Sequence, residues 1–334
     1  MITIIGSLNY DLVTFTSRVP EAGETIQGNS FEGHLGGKGL NEAIAVARLS
    51  SPEVDKSTQV RMWGKIGDDY QGVELFKCLE VSGIDMNLVQ VVKGEKSGTA
   101  TILVEESGEN RIIIVAGANG KLQPDASQLN KHFPVDSADQ LVVLQNEFPN
   151  PEFIIDWLTE NRPKIQKFYN PSPLVITPER LSILNKVEYL IVNEIESFEL
   201  LKGLTKGGQV NLKQLDEKET TSDIIKHGES LISELRAHLP HPTLIITLGS
   251  KGCLYQITPN DKPGYQPSCK VDTVVDTTGA GDTFFGGLVS KLHEGLTLDE
   301  SLKFATFASS LAIQKKGAVE GIPFYADVCK AMKQ

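Results

Sequence analysis

The stretch Asp276-Thr277-Thr278-Gly279-Ala280-Gly281-Asp282-Thr283-Phe284 gathers the residue types that phosphoryl chemistry uses. A β-branched run, Val271, Thr273, Val274 and Val275, precedes it, and an apolar-periodic segment over 284–292 follows. That order predicts a strand, a turn of small residues and a helix N-terminus. Gly279, Ala280 and Gly281 carry no bulk, so their N–H groups at the positive end of a helix dipole make an anion cradle. A carboxylate at Asp282 can take a proton from a hydroxyl lying beside the bound anion, which is what phosphoryl transfer needs. Equally, Asp282 can simply complement the dipole of an ordinary capped helix.

Four other places hold candidate chemistry. Gly36-Gly37-Lys38-Gly39 runs into Leu40-Asn41-Glu42-Ala43. Its glycines allow close backbone approach, and Lys38 and Asn41 can hydrogen-bond hydroxyls, but a plain glycine turn before a helix reads the same way. It is not a Walker A motif, because Gly39 replaces the Ser/Thr and no glycine lies five residues before Gly37-Lys38. Gly279-Ala280-Gly281 is not a dinucleotide fingerprint either, since Phe284 takes its last glycine position. Asn9 and Asp11, either side of Tyr10, share one face of an extended chain and suit vicinal hydroxyls; a turn-forming pair is the alternative. Asn193-Glu194-Ile195-Glu196 has the spacing of a capping box, or of a pair near hydrated Mg²⁺. Thr247-Leu248-Gly249-Ser250-Lys251-Gly252 either cradles nucleotide phosphates or makes a glycine hairpin. The six histidines show no ligand spacing, which argues against catalytic zinc.

The elements that must position these residues follow from the hydrophobic pattern. Short apolar runs alternate with amphipathic ones, the signature of a mostly parallel sheet covered by helices. Strands are expected over 2–6, 60–63, 141–145, 167–170, 189–192 and 244–247. Helices are expected over 39–49, 70–81, 194–201, 223–239, 283–293, 299–314 and 325–333, with Gly83 closing the second. Two regions break the alternation: 12–35, rich in Thr, Gly and Pro, and a hairpin over 99–115 about the turn 106–110. Strands drawn from two places suggest a small sheet standing off the main body, a lid over a site. The polar stretch 202–222 reads as a surface loop, and no repeat is visible.

The totals narrow the partners. Thirty-two basic against 43 acidic residues give −11, with no basic run, which argues against nucleic acid and anionic membranes. The four cysteines form no C-x-x-C and read as reduced thiols. No run approaches the roughly 18 apolar residues of a membrane span, so a cytoplasmic protein is expected, with nuclear presence left open.

Taken in order, these pieces resemble the ribokinase family of carbohydrate kinases, from residue 2 to about residue 325. Residues 276–282 match its C-terminal signature, 36–41 its glycine-rich element and 193–196 its N-x-x-E element. The resemblance implies a ribokinase-like three-layer α/β/α fold over 1–334, a single α/β domain with a small β lid from 12–35 and 99–115. It implies ATP-dependent phosphorylation of a sugar, D-ribose at O5 ahead of fructose or adenosine, with a non-catalytic nucleotide-sensing module as the remaining alternative. Carried over by position, Asp282 is the general base and Gly279, Ala280 and Gly281 the anion hole. Asn9, Tyr10, Asp11, Gly37, Lys38, Gly39, Leu40, Asn41, Glu147 and Asp282 bind the sugar. Asn193, Thr247, Leu248, Gly249, Ser250, Lys251, Gly252, Gly281, Asp282 and Thr306 meet ATP, and Glu196 acts indirectly on Mg²⁺. Asp276, Thr278, Ala312, Lys315, Gly317 and Gly321 bind an activating K⁺. Two positions depart: Gly321 stands where some bacterial members carry a hydroxyl, implying a water there, and Thr306 replaces a larger polar residue near the adenine. Pairing of two subunits through the lid is also implied.

Overall fold

The computed structural model describes residues 1–53, 59–107, 109–135, 140–207 and 219–333. In chain order the elements are β1 (Ile2–Ile5), β2 (Asn9–Thr16), β3 (Ser30–Gly36), α1 (Lys38–Leu49), β4 (Val60–Gly67), α2 (Tyr70–Val81), β5 (Asp85–Val92), β6 (Gly98–Glu105) and β7 (Asn110–Val115). There follow α3 (Ala126–His132), β8 (Leu141–Leu144), α4 (Pro151–Asn161), β9 (Gln166–Tyr169), α5 (Pro178–Ser182), β10 (Tyr189–Asn193), α6 (Glu194–Leu204) and α7 (Thr221–Arg236). The chain ends with β11 (Thr243–Thr247), β12 (Cys253–Gln256), β13 (Gly264–Gln266), α8 (Ala280–His293), α9 (Leu298–Ala312), α10 (Ala318–Gly321) and α11 (Tyr325–Ala331).

The main sheet runs β13-β12-β11-β10-β9-β8-β1-β4-β5. Its strands are parallel from β5 to β11, and β12 and β13 close one edge antiparallel. Strands buried on both faces need continuous apolar runs, and Ile-Thr-Ile-Ile of β1 is fully buried. Alternation splits those side chains: Ile2 and Ile4 join Val143 and helices α1, α8 and α9 on one face. Ile5 joins Val142, Leu144 and helices α4 and α7 on the other. The result is three layers. No helix among the described residues is long and apolar enough to cross a membrane.

A second sheet, β3-β2-β6-β7, stands apart; β2 and β6 are parallel and its other pairs antiparallel. It takes its strands from both regions that broke the alternation. Gly108 of the hairpin turn lies outside the described residues.

Two expectations need correction. The run 271–275 is not a strand: the N–H groups of Val275 and Asp276 bond to Ile313 O at the end of α9. β-branched residues favour strands only where a partner strand exists, and β13 already ends the sheet. The stretch 202–222 is not all loop, since α6 reaches Leu204 and a Thr220–Asp223 capping box starts α7 at Thr221; 208–218 lie outside the described residues. Strands β11 and β12 pair antiparallel across 248–252, the hairpin alternative for that segment, whereas helices α3, α4, α5 and α10 and strands β5 and β13 are additional to the expected elements.

Candidate active site

The carboxyl ends of the parallel strands hand the chain to the candidate residues, as expected for an open α/β sheet. Beyond β1 come Ser7 and β2; beyond β8 come Gln145 and Glu147; beyond β10 and β11 come the 193–196 and 247–252 segments. Helices α1 and α8 start at the same edge and cross so tightly that a Cβ on Gly286 would lie 2.4 Å from Ala45 Cβ. Asn41 and Asp282 each lie four residues before that crossing, one helical turn back. They therefore meet: Asn41 Nδ2 donates to Asp282 Oδ2 at 2.7 Å.

Asp282 is 8% exposed, and Lys38 Nζ approaches its other oxygen at 3.5 Å. Burial alone would lower the Lys38 pKa, but the neighbouring carboxylates, Asp282 and Glu147 first, outweigh it and hold the ammonium charged. Glu147 Oε2 accepts from Ser7 Oγ at 2.5 Å and from the Lys38 N–H at 3.0 Å, a carboxylate at the start of α1. Asn9 is fixed by Asn119, whose Nδ2 donates to Asn9 Oδ1 at 2.7 Å while its Oδ1 accepts from Leu8 N–H. Asp11 packs so close over Gly36 that a Cβ there would meet Oδ2 at 2.2 Å. Burial and the neighbouring Glu147 charge push Asp11 up to about 7, against the opposing pull of His34. A cavity of about 320 Å³ opens between Asp11, Glu32 and His34 of the small sheet and residues 276–278.

Gly279 caps α8 at φ 74, and a Cβ there would lie 2.9 Å from Ala318 Cβ. Within the first turn, Ala280 N–H bonds back to Thr277 O and Thr283 N–H to Gly279 O. The amides of Gly281 and Asp282 are left without a helical acceptor. Gly281 opens onto a second cavity of about 700 Å³, walled by Thr247, Gly249, Ser250, Gly252 and Thr306. Thr277 lines both cavities.

Asp276 stands behind that turn. Burial would raise its pKa, but hydrogen bonds from the Thr278 hydroxyl, Thr278 N–H and Gly317 N–H more than offset it and keep it a carboxylate. Around it, Gly321 lies under Ala312 O, where a Cβ would come within 2.9 Å of the carbonyl. Lys315 N–H bonds to Ala312 O in the same loop.

Some sequence-predicted residues sit elsewhere. Leu40 and Leu248 are buried in the two cores, so only their backbone can serve a site. Tyr10 faces away from Asn9 and Asp11, its ring lying over Gly33. Gly37 and Gly39 form the start of α1, against Ser7 and Asn9. Asn193 and Glu196 form a reciprocal capping box, so the structural reading of that motif is realised, while Glu196 still reaches Lys38 electrostatically. Lys251 closes the 249–251 turn, its carbonyl accepting from Tyr265 OH.

Sequence reasoning missed Asn119, Ser7 and the serines Ser309 and Ser310, which line the larger cavity. Asn119 lies in a polar turn with no motif about it, and its partner Asn9 is 110 residues away. It also missed a clasp between the small sheet and the 315–321 loop: Lys316 Nζ bonds Glu32 at 2.6 Å, and His34 lies between Glu32 and Glu320.

Comparison with known proteins points the same way as the geometry. The profile of the pfkB family carbohydrate kinases matches residues 1–324. The chain is 35% identical to a ribokinase of Schizosaccharomyces pombe, over 98% of this chain and 96% of the relative. Its fold superposes on a ribokinase of Cryptococcus neoformans in complex with ADP at a TM-score of 0.81, with 31% identity and 99% of each chain covered. An Arabidopsis thaliana ribokinase complexed with ribose and ATP gives 0.77 and 29%, covering 100% of this chain and 98% of that one.

Proposed function

The chain belongs to the pfkB family of carbohydrate kinases, and from that premise we propose that it transfers the γ-phosphoryl group of ATP to O5 of D-ribose. One observation carries the reading: a buried carboxylate, Asp282, clamped by Asn41 and Lys38 at the head of a helix, directly after Gly281, which opens onto the larger cavity. Asn9, Asp11, Lys38, Asn41 and Glu147 suit a single polyhydroxylated ring and hold its hydroxyls; of them Asp11 lines the smaller cavity. The larger takes ATP, its γ-phosphate over Gly279–Gly281 and its base toward Thr306.

Asp282 takes the O5 proton as O5 attacks phosphorus. The bond from the γ-phosphorus to the bridging oxygen breaks, and its electron pair leaves with ADP. The amides at the head of α8 and the Lys38 ammonium meet charge developing on the transferred group. The small sheet, 12–35 and 99–115, acts as a lid that excludes water. Its outer strand leaves Ile112, Ile113, Ile114 and Val115 about half exposed, which supports pairing of two subunits through the lid.

The residues present fit two ions. A carboxylate held charged at Asp276, with Thr278, Gly317, Lys315 and the Ala312 carbonyl that a side chain at 321 would crowd, suits a monovalent cation. Bound K⁺ would supply positive charge behind the anion hole. Glu196, one carboxylate near Lys38, suits an ion that keeps most of its waters; bound Mg²⁺ would supply neutralisation of phosphate charge.

A coupled ADP assay with D-ribose, fructose and adenosine, with K⁺ or Na⁺, tests the reading. Ribose as the poorest acceptor would overturn the substrate, and equal rates with either ion would overturn the cation loop. Asp282→Asn is expected to lose roughly 10²–10⁴ in turnover while keeping its circular dichroism spectrum. Near-normal turnover would remove Asp282 from the role.

A further inference from the structure

Behind the clamp on Asp282, Glu42 and Gln145 are both fully buried. Gln145 Nε2 donates to Glu42 Oε2. The remaining oxygen of each, Glu42 Oε1 and Gln145 Oε1, is buried with no hydrogen-bond partner among the described residues. Buried orphan acceptors are costly, and an ionised carboxylate asks for several donors where this one has a single amide. A proton on Glu42 Oε1 turns one orphan into a donor and gives the other orphan something to accept. One proton accounts for both.

We propose that Glu42 enters catalysis protonated, in an acid–amide pair with Gln145, as a positioning residue that seats Asn41 against Asp282 without adding a second negative charge behind the base. The inference rests on reading Asp282 as the base. Glu42 immediately follows Asn41 on α1, so whatever moves Glu42 moves the donor to Asp282 Oδ2. Burial, the largest influence, and then the Asp282 charge from α8 push the Glu42 pKa well above the usual carboxylate range, with Glu147 from beyond β8 adding to them; Lys38 on α1 and the Gln145 hydrogen bond pull the other way and are outweighed. Above the pH at which Glu42 ionises, two like charges face each other across the α1–α8 crossing and the Asn41 contact loosens.

The test compares wild type with Glu42→Gln, which carries the protonated shape permanently. Thermal and urea unfolding without substrate are followed from pH 4 to 9. A carboxyl protonated in the fold and ionised in the unfolded chain makes wild type lose ground as pH rises. From about pH 4.3 the folding equilibrium of wild type is expected to fall behind the variant by about tenfold per pH unit until the buried carboxyl itself ionises. Curves that stay parallel overturn the proposal. In turnover with ribose and ATP, the ratio of variant to wild type is expected to stay constant between pH 6 and 8, where Glu42 holds its proton, and a ratio that changes tenfold over that range also overturns it. If Glu42→Gln does not fold, infrared spectroscopy of Asp11→Asn at pH 8 replaces it. The carbonyl band of a protonated carboxylic acid is expected there, and its absence overturns the assignment. The stability curves need no substrate, so they are decided separately from the role of Asp282, which the Asp282→Asn turnover decides.

Discussion

At the sugar end of the site, side chains are locked by other side chains or pressed against backbone. Asn119 fixes Asn9, Asn41 fixes Asp282, Ser7 and the Lys38 amide fix Glu147, and Gly36 presses Asp11 into place. At the proposed nucleotide end the wall is glycine, small hydroxyls and apolar side chains such as Val271, Phe284 and Ile313. Those hydroxyls already serve the protein: Thr306 donates to Leu302 O, Ser309 to Ala280 O and Ser310 to Phe307 O. A hydroxyl that spends its hydrogen on a carbonyl offers only lone pairs to a ligand. The contrast assigns discrimination to the sugar end, where buried polar groups left unpaired by a wrong ligand are penalised. On the proposed reading the nucleotide end works by shape and by backbone dipoles.

The sharpest consequence lies at Asp11. A charged hydrogen bond is worth about 1.5–3 kcal/mol, so Asp11→Asn should raise KM for ribose by roughly 10–100-fold and leave KM for ATP within about threefold. Equal shifts for both substrates would erase the contrast. Because burial and the Glu147 charge push Asp11 up to about 7, wild-type KM for ribose should fall between pH 6 and pH 8, as the neutral acid becomes a carboxylate that accepts from two hydroxyls. Asp11→Asn should flatten that profile. The stability sign is opposite: a raised carboxyl stabilises the fold fully below its unfolded value, near 3.9, and that contribution is lost as pH rises through 7.

A smaller effect separates two glycines two residues apart in the same turn. Gly279 has φ 74 and no room for a Cβ beside Ala318, whereas a Cβ on Gly281 would meet nothing within 4 Å. Gly279→Ala should cost about 1–2 kcal/mol of stability through left-handed strain, read by urea unfolding. Gly281→Ala should stay within about 0.5 kcal/mol and instead raise KM for ATP, since its methyl enters the nucleotide cavity. Reversal of that pattern would mean the turn is not the phosphate floor.

How much of this was legible in the residues differs between the same two ends. Strands β1, β8 and β10 and helices α1, α2 and α8 carry uninterrupted apolar runs or clear helical period, so their existence follows from local pattern. Short edge strands such as β13 have three residues and no pattern to read. The sugar-end side chains sit on compact motifs, 9–11 and 36–41, and were visible as residue types. What fixes them was not, because Asn119, Gln145 and the Ala45–Gly286 crossing join positions 100 or more residues apart, and no local spacing encodes such pairs. The valine run 271–275 misled for a related reason: its β propensity was genuine, but its hydrogen-bond partner is a helix end.

The weakest expected effect decides how far the contrast extends. Thr306 is 6% exposed and donates to Leu302 O within its own helix, so Thr306→Val keeps the shape of the wall and removes one weak back-bond. If the nucleotide end reads shape, the substitution should change KM for ATP by less than about threefold, the scale of a surface-level energy change, and leave KM for ribose untouched. The same variant assayed with GTP isolates the base, because the exocyclic group at position six becomes an acceptor facing a wall of acceptors. GTP should be the poorer donor in both proteins by a similar factor. A loss of ATP preference confined to Thr306→Val would show that this one hydroxyl reads the base, and the nucleotide end would then have to be counted with the sugar end as a site of side-chain recognition.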